Sequence, residues 1–346
     1  MRIPTASLSP LVLLGLWGSG CASSDVLGTI GSVDRRDPAL DRLVPPGAEF
    51  EVLARGFAWS EGPVWVGGDD GFLLFSDIPP NRVWKWEPGR GASVYLAQSG
   101  YLDPIPRPGH VAPDEPGSNG LLLDAEGRLV LCQHGLRQVG RMTAPLSAPA
   151  PEFEAVATRW EGKRFNSPND AVFRSNGDLY FTDPPYGLTG KMGDEEKEIE
   201  FQGVYRVTPN GEVTLLTSEM SRPNGVAFSP DERTLYVANS DPERAVWMAF
   251  SVLEDGTLGE GRVLFDATHL VPDLPGLPDG LAVDSEGHLF ATGPGGVLVL
   301  TPDGQHLGTI LTGRPTSNCT FGGDGSTLYV TADESLLRVR LSTTGL

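Results

Sequence analysis

The chain has 346 residues, 39% hydrophobic and 21% charged, enough apolar side chain for a packed core and too much for wholesale disorder. Its 26 basic and 45 acidic residues leave a net charge of −19, which repels phosphate backbones and argues against a nucleic-acid partner. Three cysteines with no C-x-x-C spacing make neither a disulfide framework nor a typical zinc site.

The N-terminus reads as an export signal. Arg2 supplies a basic start, Leu8 to Trp17 is an apolar run too short to span a bilayer, and Gly18, Ser19 and Gly20 precede Cys21. This stretch resembles a bacterial lipoprotein signal, with Gly18 where that pattern prefers Leu. The expectation is a signal peptide over 1–20 and lipidation of Cys21, with ordinary secretion as the alternative. The product would be periplasmic or a membrane-anchored lipoprotein, touching membrane only through that anchor. Residues 21–48 show no sustained periodicity and read as a tether. Cys132 and Cys319 sit in apolar runs and read as buried thiols.

From residue 49 to 346 a repeat organises the chain. Polar residues at 61, 119, 169, 224, 279 and 318 each open an apolar run, as in Pro223-Asn224-Gly225-Val226-Ala227-Phe228. About ten residues later comes a second run, as in Leu235-Tyr236-Val237, across turn signals such as Ser175-Asn176-Gly177. Near-continuous apolar runs suit strands buried on both faces. Repeated strands without helical periodicity predict an all-β, six-bladed β-propeller with four antiparallel strands per blade. The last unit lacks a fourth strand, and Phe50-Glu51-Val52-Leu53-Ala54 is spare. It is expected to close the ring as that blade's outer strand.

Inner strands line a propeller's axis, so the six anchors Glu61, Asn119, Asn169, Asn224, Asp279 and Asn318 would converge there. Two carboxylates and four amides suit a hard divalent cation. The competing reading is that Asn-Gly and Asp-Gly merely form turns. For Asn119 and Asn318 the two readings balance; for Glu61, Asn169, Asn224 and Asp279 together the metal is favoured.

These motifs, with Phe165-Asn166-Ser167-Pro168-Asn169-Asp170 and Phe181-Thr182-Asp183-Pro184-Pro185-Tyr186-Gly187, resemble the gluconolactonase/regucalcin (senescence marker protein) family, its bacterial gluconolactonase branch above all. The resemblance covers residue 50 to the C-terminus. It implies one catalytic cation held by Glu61, Asn169, Asn224 and Asp279, with calcium foremost and zinc, manganese or magnesium as alternatives. It also implies hydrolysis of sugar lactones to aldonic acids. Ser167 departs from the Arg that regucalcin-like members carry there, so sugar recognition should differ. Asp279 is the candidate base. Asn119, Asn169, His134, Arg137 and Tyr186 are candidate substrate contacts, Asp183 is expected to tie its loop down, and residues 101–117 could rim the pocket. A calcium-dependent arylesterase or phosphotriesterase, or a non-catalytic binding platform, is the alternative.

Overall fold

The computed structural model describes residues 26–68, 70–102 and 114–346. The signal segment and Cys21 lie outside the described residues. Six antiparallel sheets form the blades of a β-propeller, and helix among the described residues is confined to short 3-10 turns. Blade 1 runs through Ser60–Val66, Phe72–Asp77, Arg82–Glu87 and Gly91–Ala97, its strands pairing in chain order from the axis outward. Blades 2, 3 and 4 begin at Ser118, Ala171 and Pro223 and repeat this order, and blade 5 begins at Leu281. The second strands lie deep, and in blades 2, 3 and 5 wholly inside: Leu129–Gln133, Leu179–Asp183 and Leu289–Gly293 are buried at every position. Blade-to-blade packing covers both faces, which is why these runs do not alternate.

Ring closure follows the sequence expectation. Phe50–Arg55 pairs antiparallel with Ser335–Arg340 of blade 6, and Arg338 Nε donates to Glu51 Oε2 at 2.6 Å.

The tether reading needs correction. Gly28–Ile30 pairs with Phe50–Val52 at the edge of blade 6, and Ser32–Arg35 pairs with Gly308–Leu311 at the edge of blade 5. Gly31, at φ +78°, makes the step between them; a Cβ there would lie 2.0 Å from the Leu311 carbonyl oxygen. Leu40, Leu43 and Val44 then enter the core shared by blades 5 and 6. Outer strands present unpaired backbone donors and acceptors, and this segment satisfies them. Strand character here comes from the partner edge, so local periodicity does not announce it.

Candidate active site on the propeller axis

The anchors are placed by breaks in strand register. Pairing between first and second strands shifts between Glu61 and Val64, Ser118 and Leu121, and Pro223 and Val226. Such bulges re-aim side chains, here those of Glu61, Asn119 and Asn224. In blades 3 and 5 the anchor precedes the strand, yet Asn169 N–H still bonds to Thr182 O and Asp279 N–H to Thr292 O, both at 2.9 Å.

The glycines after the anchors are therefore not turn residues. A Cβ on Gly62 would lie 2.1 Å from Asn119 O, and one on Gly225 2.2 Å from Asp279 O. Neighbouring inner strands approach too closely for any side chain. Hydroxyls then stitch blade to blade. Ser76 Oγ donates to Asn119 O and Thr182 Oγ1 to Asn224 O, each at 2.7 Å, and Thr292 Oγ1 donates to Ser317 O at 2.8 Å. Ser240 Oγ donates to Pro278 O. The signal was available in the sequence: a Ser or Thr ends most second apolar runs.

Glu61, Asn119, Asn169, Asn224 and Asp279 line one cavity of about 550 Å³. Burial pushes the Glu61 carboxyl up to about 8, against the pull of the Gly62 N–H, which donates to Oε2 at 2.9 Å. Burial and then the charge of Glu61 raise Asp279 well above the carboxylate range. Asp279 Oδ1 and Asn119 Oδ1 are buried without a hydrogen-bond partner. Asn224 Nδ2 donates to Ser240 Oγ at 2.9 Å, leaving its amide oxygen for the cavity.

Asn318 sits at the foot of this arrangement and does not line the cavity; its Oδ1 accepts from Cys319 N–H at 2.8 Å. Tyr186 does line it. Burial first, then the negative field of Asp279, keeps its phenol protonated, with Ser240 beside it. Asp183 ties the loop as expected, accepting from Asn166 and Ser167 N–H, both at 2.8 Å. Ser167 Oγ bonds to Pro184 O, so Ser167 serves the loop and not the cavity.

Two expected substrate contacts turn away. His134 is fully buried outside the lining, and burial lowers its imidazole to about 3, so it is a neutral packing group. Arg137 spans blades: Nε donates to Phe165 O at 2.6 Å and Nη1 to Glu196 O at 2.9 Å. Both follow the second strand of blade 2, as their sequence position says, but the chain packs them against blade 3.

Sequence reasoning missed Glu115, held by Lys191 Nζ at 2.9 Å, and Ser240, both on the lining. It also missed Asp170 as a third axial carboxylate. Asp170 accepts from Ala171 N–H at 2.9 Å, and burial raises it to about 6.

No group of three or more His, Cys, Asp or Glu that could hold a metal occurs among the described residues. Any cation must therefore use the amides. Asp170 and Glu115 raise Glu61, and Glu61 raises Asp279, so these carboxylates cannot all ionise without a countercharge, which a divalent cation would supply. With the orphan Asp279 oxygen and the Asn169 and Asn224 amides, the residues present fit such an ion.

Fold and site together define a six-bladed propeller with a cation-competent carboxylate pair on its axis. Residues 59–334 match the SMP-30/gluconolactonase/LRE-like region, and the chain belongs to that family. It is 42% identical over 352 aligned residues to the gluconolactonase of Zymomonas mobilis, covering all of this chain and 96% of that protein. A solved gluconolactonase from Xanthomonas campestris superposes with a TM-score of 0.75 at 31% identity, covering 91% of this chain and 98% of that one. A calcium-binding regucalcin from Agrobacterium tumefaciens, 20% identical with a TM-score of 0.65, covers 85% of this chain and 94% of its own and shares the fold.

Proposed function

We propose that this chain is a metal-dependent lactonase that opens gluconolactone-type rings to hydroxy acids. The observation that carries the reading is the Glu61–Asp279 pair lining one cavity, Glu61 buried and Asp279 half-buried with its Oδ1 buried and unpartnered. Kinship with the Zymomonas and Xanthomonas gluconolactonases supports the substrate class. Bound by Glu61, Asn169, Asn224 and Asp279, a divalent cation, calcium foremost, would supply Lewis-acid polarisation of the lactone carbonyl.

Asp279 takes a proton from water as the water oxygen bonds to the carbonyl carbon. When the ring C–O bond breaks, the departing alkoxide recovers that proton from Asp279, so atoms and charge balance. Asn119, with its free buried oxygen, can accept a substrate hydroxyl, and the protonated Tyr186 phenol can donate one hydrogen bond.

The test is pH-stat hydrolysis of glucono-1,5-lactone after chelation, with calcium, magnesium, manganese or zinc restored, beside Asp279→Ala. Metal-restored activity that the variant lacks is expected. A folded protein no faster than the spontaneous reaction with every metal would sink the reading.

Export and lipidation at Cys21 complete the proposal, supported by Arg2, the apolar run and the small residues before Cys21. Membrane-fraction label from a fatty-acid precursor should vanish in Cys21→Ser; label that persists there would count against lipidation.

A further inference from the structure

The cavity wall divides by blade. Beside the shared Glu61 and Asp279, blades 2 to 4 contribute polar groups apart from Pro242, whereas blades 5, 6 and 1, apart from Thr316, contribute apolar ones, Val271, Leu274, Leu277, Pro315, Trp59 and Ile78. Val271 to Leu277 lie in the connection leading into blade 5, and that connection is held rigidly. Leu274 N–H bonds to Leu270 O at 3.1 Å and Gly295 N–H to Pro275 O at 2.8 Å. A Cβ on Gly295 would lie 3.2 Å from Leu274 Cδ1, so the leucine is seated directly on blade 5. This apolar wall is preformed.

Among the described residues, free hydroxyl-binding groups on the lining are few. Ser167, His134 and Arg137 are engaged elsewhere or buried outside the lining. The Ser240 hydroxyl is committed to the Pro278 carbonyl, and Glu115 is bound by Lys191. A hydroxylated six-membered lactone has only about a dozen heavy atoms, whereas cavities of roughly 300–1,000 Å³ enclose drug-sized ligands. At about 550 Å³ the cavity has room beyond the ring.

We propose that the site also takes a lactone carrying an apolar arm, alkyl or aryl, which lies along Val271, Leu274 and Leu277 while the ring ester faces Asp279. This deepens the lactonase reading and rests on it. Burying the arm removes apolar surface from water on both partners, so this wall adds affinity for alkyl or aryl lactones to the ring-opening of gluconolactone-type substrates.

The test is a series of δ-lactones with lengthening 5-alkyl chains, run beside δ-valerolactone and glucono-1,5-lactone on the calcium-loaded full chain. Expected is a kcat/KM that climbs by up to about fourfold per buried methylene until the arm outgrows the wall. Leu274→Asn should lower the ratio of alkyl-lactone to glucono-lactone kcat/KM by roughly tenfold. Val271→Thr, equal in volume but bearing a hydroxyl, should shift the ratio the same way and serves if the first variant does not fold. A kcat/KM flat or falling with chain length, while glucono-1,5-lactone is hydrolysed, overturns the proposal. Inactivity on every lactone overturns the lactonase reading itself and this one with it.

Discussion

The two halves of the cavity rim are built from one repeat yet differ in chemistry. Blades 2 to 4 offer Glu115, Tyr186 and Ser240, whereas blades 5, 6 and 1 offer Leu274, Val271 and Trp59. The floor is alike all round because the repeat sets it: a polar anchor on a bulged or broken inner strand, with a close-packed residue after it. The rim differs because it comes from the connections between strands, which the repeat does not constrain. On the proposed reading, catalysis belongs to the floor and selectivity to the contrast between halves.

The largest expected effect is on the floor common to both halves. Asp279→Asn should cost on the order of 10²–10⁴ in kcat on sugar and alkyl lactones alike, since a positioned base contributes about that much. Parallel kinetics with circular dichroism to confirm folding would check it; loss confined to one substrate class would contradict a shared floor. Next comes the cation. Chelation should lower Tm and calcium should restore it by mass action, while Glu61→Gln should blunt that response. Thermal melts across calcium concentrations read this directly.

Tyr186→Phe sharpens the comparison from the polar side. Removing one hydrogen-bond donor should reduce kcat/KM on glucono-1,5-lactone by roughly threefold to tenfold and leave a smaller deficit on alkyl lactones. A larger deficit on alkyl lactones would reverse the assignment of the halves.

The smallest effect concerns Asp183, which supports the polar half by holding the Asn166–Ser167 backbone. Burial, partly offset by those N–H groups, raises its carboxyl from 3.8 to about 7. Between pH 4 and 7 the folded chain keeps a proton that the unfolded chain has lost. This contribution is therefore full below pH 4 and is lost as pH rises through 7. Urea midpoints across that window should show this slope in the parent and not in Asp183→Asn.

Much of this was legible in the residues. The repeat of polar anchor and apolar run announced the propeller, because strand burial on both faces is a local pattern written six times. The spare segment at Phe50 and the short last unit announced ring closure, because one incomplete blade needs one extra strand. Glu61, Asn169, Asn224 and Asp279 were legible as a set because only they broke the turn explanation together. Residues 28–44 were not legible, since their strands exist only through the edges they pair with.

His134 and Arg137 mark the boundary most clearly. Their place after an inner hairpin was correct, but which way a loop side chain turns depends on what the neighbouring blade leaves open. Phe165 O and Glu196 O drew the guanidinium away from the axis. Glu115 and Ser240 reached the cavity through the same kind of choice. Sequence alone determined the fold, the ring closure and the polar anchors, because each rests on a period that neighbouring residues carry themselves. Tertiary structure alone decided the apolar wall, the direction of the loop side chains and the N-terminal clasp. Those depend on neighbouring blades and edges meeting in the folded ring, from Arg137 on Phe165 to Ser32–Arg35 on Gly308–Leu311.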